Sequence, residues 1–158
     1  MTGTELNEIL RKHKMWLNSV DGGEYANLSY ANLSYANLRR ANLSSATGLI
    51  QQWEFLKNNF YSTAEGIVAY KTFGDTYSPP AKWKLEKGSV ITENVDFNRT
   101  NDCGCGINVA TLEWVKKYCR GEIWKVLIRW EWLAGVCVPY NSDGKIRCEC
   151  VELIEIID

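Results

Sequence analysis

Four of the six cysteines stand in two Cys-X-Cys pairs, Cys103-Gly104-Cys105 and Cys148-Glu149-Cys150, with Cys119 and Cys137 between them. Four thiolates make a tetrahedral zinc set, and Cys103, Cys105, Cys148 and Cys150 are the ligands such a site would use. Structural zinc favours cysteines two to four residues apart, and in one strand Cys148 and Cys150 would share a face about 6–7 Å apart. No cofactor is therefore expected, and the cysteines are read as reduced thiols. A second group is polar: Tyr70, Lys71, Arg99, Asn108, Lys145 and Arg147 fall at strand ends or in loops, where sites are commonly built. Amines, guanidiniums and nearby tryptophans suit an anionic, nucleotide-like ligand. Glu149 with Arg147 is the pair a catalytic site would draw on. His13 is the only histidine and lies on an apolar stripe, so it is read as a buried, satisfied side chain and histidine-dependent triads are set aside.

The elements that must position these residues follow from periodicity. Leu6, Ile9, Leu10, His13, Trp16 and Leu17 recur at helical spacing, which predicts an amphipathic helix through Leu17 with Thr2 and Glu5 at its start. A second helix is predicted over Leu49 to Phe60. From Glu65 the pattern turns to short strands and turns: Gly66 to Phe73, Trp83 to Leu85, Ser89 to Val95, then a polar loop from Asn98 to Gly106. Asn108 is expected to cap a helix ending at Tyr118. Glu122 to Leu133 reads as the strongest strand, followed by Val136 to Pro139, Lys145 to Cys150 and Val151 to Ile157 in an antiparallel sheet.

The composition sets limits on partners. A formal net charge of -1 and the lack of any long basic run give no phosphate-tracking surface, so sequence-specific DNA binding is disfavoured. No run of 18 apolar residues and no apolar leader appears, so a cytoplasmic protein without membrane contact is expected.

Ahead of the sheet, residues 26–45 read Ala-Asn-Leu-Ser-Tyr twice, Ala-Asn-Leu-Arg-Arg and Ala-Asn-Leu-Ser-Ser. A helix would scatter the leucines by about 140° per five-residue unit. Short extended segments with a turn at every fifth residue keep Leu28, Leu33, Leu38 and Leu43 together. Outward positions carry Tyr25, Tyr30, Tyr35, Arg39 and Arg40, residue types enriched at protein interfaces. Ala-Asn-Leu-X-X in tandem resembles the pentapeptide-repeat family, and the resemblance implies a right-handed quadrilateral β-helix in which four repeats make one coil. One coil cannot bury its own ends. The N-terminal helix is expected to plug one mouth and the second helix the other.

The fold expected is thus α+β: residues 1–48 form the capping helix and repeat coil, and residues 49–158 a small antiparallel-sheet domain. The run of Asp-Gly-Gly-Glu, the repeats, Ile-Gln-Gln-Trp-Glu-Phe-Leu and Cys-Gly-Ile-Asn-Val-Ala-Thr-Leu-Glu-Trp-Val resembles pentapeptide-repeat proteins of tailed phages and prophages. That resemblance implies a phage-encoded accessory protein in the host cytoplasm, engaging a host protein or a small nucleotide-like host signal to counter host defence. The coil's strand edges suit a homodimer. The order of elements from Gly66 onward also weakly resembles ADP-ribosyltransferase-like folds, which implies an alternative: an enzyme acting on NAD or a related nucleotide through Glu149 or Glu152, with Arg147. A virion structural component is the third reading. No catalytic constellation assembles from the residues themselves, so a binder is preferred to an enzyme.

Overall fold

The computed structural model describes residues 1–29, 31–33, 36–74 and 78–157. It is built around two apolar cores, one under the repeats and one on the sheet.

The first core starts from the five-residue unit, in which each position has a separate job. Leucine points inward: Leu28, Leu33, Leu38 and Leu43 are all buried. Asparagine closes a local turn, the side-chain oxygens of Asn27, Asn37 and Asn42 accepting the N–H two residues on at 3.0, 3.2 and 3.0 Å. The alanine N–H then donates to the leucine carbonyl three residues back, at Ala31, Ala36, Ala41 and Ala46. The fifth residue enters the left-handed region at Arg40 and Ser45, which lets the chain turn the corner. After four repeats the chain returns beside its own start, where Asn27 and Thr47 form a parallel bridge. Leu28 N–H donates to Thr47 O at 2.8 Å and Thr47 N–H to Ala26 O at 3.0 Å.

Helix α1 (Gly3–Leu17) opens with the expected capping box between Thr2 and Glu5 and lays Leu6, Ile9 and Leu10 on the repeat leucines. His13 ties the helix to the first repeat, its Nδ1 accepting the Ala26 N–H at 3.1 Å. The histidine is buried as expected but only half satisfied, because Nε2 has no hydrogen-bond partner. The opposite side of this core meets Leu49 and Tyr140, and Asn141 Nδ2 donates to Ala36 O at 2.8 Å. Helix α2 (Gln52–Asn59) does not plug that mouth. Its Phe55 and Leu56, with Phe60 beyond it, pack on the sheet, where more apolar surface is there to be covered.

Among the described residues the sheet is antiparallel throughout and has eight strands: β1 (Tyr61–Ser62), β2 (Gly66–Thr72), β3 (Val90–Thr92), β4 (Ile107–Ala110), β5 (Ile123–Arg129), β6 (Val136–Cys137), β7 (Lys145–Cys148) and β8 (Cys150–Ile157). They run β3-β8-β5-β2-β4-β7-β6, with β1 on the same edge of β2 as β4. Several local expectations are corrected. Asn108 lies in β4, because Ile107 to Ala110 pair fully with β7, and the helix α3 (Leu112–Tyr118) starts one residue later under a Thr111 cap. β5 ends at Arg129 and the chain continues as a 3-10 helix (Trp130–Gly135). Trp83 to Leu85 form no strand. Glu149 breaks the ladder, so Cys148 and Cys150 belong to different strands. Among the described residues no helix is long and apolar enough to cross a membrane.

Candidate functional site

β2 and β4 are partners for only one residue pair, Tyr70 with Ala110. Antiparallel register would next set Val109 opposite Lys71 and Asn108 opposite Thr72, yet neither pair forms, because the strands part there. Into this fork Lys71 sends its amine, which donates to the Asn108 carbonyl at 3.1 Å in place of a backbone bond. A cleft of about 840 Å³ opens at the parting, within the range that holds small ligands.

Of the six residues singled out in the sequence as ligand-binding, Tyr70, Lys71, Asn108 and Lys145 line this cleft. Phe73, Trp83, Trp114 and Val115 supply its apolar wall. The Lys71 amine lies 5.1 Å from the centre of the Phe73 ring, and the Lys145 amine 5.8 Å from that of Trp114. Trp114 is fixed in turn by its indole N–H, which donates to Asp143 Oδ1 at 2.9 Å. Asn108 braces the rim, its Nδ2 reaching Gly104 O and Gly106 O at 3.3 Å, while its buried Oδ1 is left without a partner. The aromatic members were missed as a group, since nothing in their spacing reveals that the chain brings 73, 83 and 114 together.

Burial on this wall pushes the Lys71 amine below the ordinary lysine range, against a smaller opposing effect of the Cys148 and Cys119 thiols. The sign for stability follows. The unfolded chain binds the proton more readily, so this lysine makes stability rise with pH from its lowered folded pKa up to about 10.4. The thiols of Cys137, Cys148 and Cys150 are raised chiefly by burial and act in the opposite sense at alkaline pH. Comparing the pH dependence of urea unfolding in wild type and Lys71→Met isolates the lysine, because the thiol contributions are common to both. The variant is expected to gain less, or lose more, stability than wild type as pH rises towards 10. Parallel curves would show that the amine is not desolvated.

Two of the other predicted ligand residues belong elsewhere. Arg99 is a brace: Nε donates to Val138 O at 2.6 Å, Nη2 to Ile50 O at 2.5 Å, and the guanidinium lies 4.1 Å from the Tyr140 ring centre. Arg147 is fully buried and turns its donors on the backbone carbonyls of Asp96, Asn98 and Asn101. The Asp96 carboxyl nearby is held below its usual range by the Asn101 amide first, then by the Asn98 N–H, with Arg147 adding a smaller pull. Glu149 opens instead on an adjoining groove of about 490 Å³, lined also by Glu131 and Cys150, which meets the cleft at Glu93 and Asn94. The Arg147 and Glu149 pair required by the transferase reading is thus not assembled, and Glu152 is engaged with Arg129 at 2.5 Å.

The four candidate zinc ligands are also dispersed. Cys103 and Cys105 are exposed at the cleft rim, while Cys148 is buried with Sγ 3.4 Å from Ile107 O. Among the described residues no three His, Cys, Asp or Glu side chains are placed to hold a metal ion. On the repeat surface Tyr25, Arg39 and Arg40 are exposed, and Tyr30 and Tyr35 lie outside the described residues.

No curated protein and no solved structure matches the chain. Residues 24–47 match the family described as pentapeptide repeats (8 copies), and the inward leucines and recurring turns of that segment agree with the match.

Proposed function

We propose that the chain is a binding protein whose cleft takes a small anionic ligand with a planar ring, of the nucleotide type. One observation carries this reading: the amines of Lys71 and Lys145 and the rings of Phe73, Trp83 and Trp114 converge on one opening where the sheet parts. Amines supply charge for a phosphate or carboxylate, and indole faces supply stacking surface for a base. In the phage setting implied by the resemblance, such a protein sequesters a host signal and so blunts defence. Exposed Tyr25, Arg39 and Arg40 carry the second part of the reading, contact with a host protein or a second copy. The repeat segment is, in this view, one turn of right-handed quadrilateral β-helix that serves as a wall, and the bridge between Asn27 and Thr47 supports it.

Thermal shift and tryptophan fluorescence against a panel of mono-, cyclic and NAD-derived nucleotides test the proposal. At least one is expected to stabilise the protein by an amount set by its concentration over Kd. Lys145→Ala is expected to weaken that binding about tenfold, the order of one charge-assisted hydrogen bond. Silence across the whole panel overturns the nucleotide reading, and so does binding unaltered in Lys145→Ala.

A further inference from the structure

The cleft can do more than hold an anion, because of how one amine is presented. Lys71 is drawn across the fork by the Asn108 carbonyl, beside the Phe73 ring and away from any carboxylate partner among the described residues. Three lysines outside the cleft differ. Lys12, Lys82 and Lys125 sit in ion pairs with Glu24, Glu93 and Glu155, which favour the protonated ammonium. An ammonium has no lone pair and cannot attack carbon. A neutral amine that uses one N–H on a backbone carbonyl keeps its lone pair free for whatever enters the cleft.

We propose that Lys71 captures a small carbonyl compound, an aldehyde or 2-oxo acid, as an imine. The step balances without an oxidant or reductant. The Nζ lone pair forms a bond to the carbonyl carbon while the C=O π pair moves to oxygen, which takes up a proton. The resulting carbinolamine loses that oxygen as water, nitrogen gives up its remaining proton, and C=N forms. Water in the open cleft exchanges both protons. Lys145 is the counter-charge for a carboxylate on the captured molecule, and the indoles receive an aromatic one. Burial lowers the amine's pKa and so raises the fraction that is neutral, the direction in which lysine nucleophiles are activated.

This inference shares the cleft with the nucleotide reading but not the ligand. Absence of nucleotide binding leaves it standing, and absence of imine formation leaves the nucleotide reading standing. The test is to incubate the intact protein with glyoxylate, and separately with benzaldehyde, in the presence of cyanoborohydride at neutral pH. Reduced adducts are then mapped by peptide mass spectrometry over time. A desolvated amine carries a larger neutral fraction, so Lys71 is expected to be labelled severalfold faster than exposed lysines such as Lys57 and Lys84. In urea that preference should vanish, since the surroundings that create it are gone. Lys71→Arg should abolish the fast adduct and leave the slow ones. Faster labelling with glyoxylate than with benzaldehyde points to the 2-oxo acid, the reverse to an aromatic aldehyde, and either supports capture. Labelling that follows exposure alone, with Lys71 the slowest, overturns the proposal.

Discussion

Replacing Gly48 with alanine is expected to cost on the order of 2–5 kcal/mol and to unfold the repeat segment. Two costs add at this position. Gly48 holds φ at +76°, in the left-handed region, where a side chain costs roughly 1–2 kcal/mol. A Cβ would also stand 2.0 Å from Ser29 N and 2.3 Å from Ser29 Cα, both main-chain atoms of the neighbouring pass. No rotamer can relieve that contact, and overpacking of this kind typically adds about 1–3 kcal/mol. Gly88→Ala separates the two costs, because Gly88 has φ +83° and nothing within 4 Å of a Cβ. It should show the conformational cost alone. Urea unfolding of both variants decides the matter: equal, small losses would mean that residues 47 and 48 do not lie against residues 27 to 29.

Arg147→Met should be the most damaging change in the sheet unit. The side chain keeps its length but loses every donor, leaving the partly buried carbonyls of Asp96, Asn98 and Asn101 without their partner. A fully buried stranded polar group costs about 1–3 kcal/mol, and water can reach part of this loop, so the sum is on the order of 3 kcal/mol. The loss should concentrate in the loop from Asp96 to Gly106, whose Cys103, Gly104 and Cys105 wall the cleft. Limited proteolysis is expected to cut there first, and ligand binding should fall with it although Arg147 does not line the cleft. Arg147→Lys should recover part of the stability, since one amine reaches fewer carbonyls than a guanidinium fork. A methionine variant with native stability and an uncut loop would show that the carbonyls find water instead.

Much of the repeat segment could be read in advance, because each of its residues acts locally. Leucine at every fifth position and asparagine beside it fix a turn and an inward face without help from distant residues. The cleft was legible in residue type only. Tyr70, Lys71, Asn108 and Lys145 were identified as polar groups in a sheet region, but the parting of β2 from β4 is a matter of pairing between distant segments, which periodicity does not record. Arg99 and Arg147 were misjudged for a physical reason. A guanidinium at the edge of a polar loop serves an outside anion and buried carbonyls equally well, and burial alone tells the two apart. Ile107 to Ala110 misled for another reason: a short stretch with one asparagine among three apolar residues is compatible with a strand or with the capped first turn of a helix. Glu149 interrupts what reads as continuous alternation, so the same-face placement of Cys148 and Cys150 did not hold.

The meeting of Asn27 with Thr47 makes the length of this stretch a counted quantity. Twenty residues separate the two partners of that bridge, so the segment returns to its own start over a fixed length. Adding or deleting one five-residue unit would change that length and carry Leu49 away from Tyr140 and the Asn141 contact with Ala36. The junction to the sheet therefore limits how the array can be lengthened.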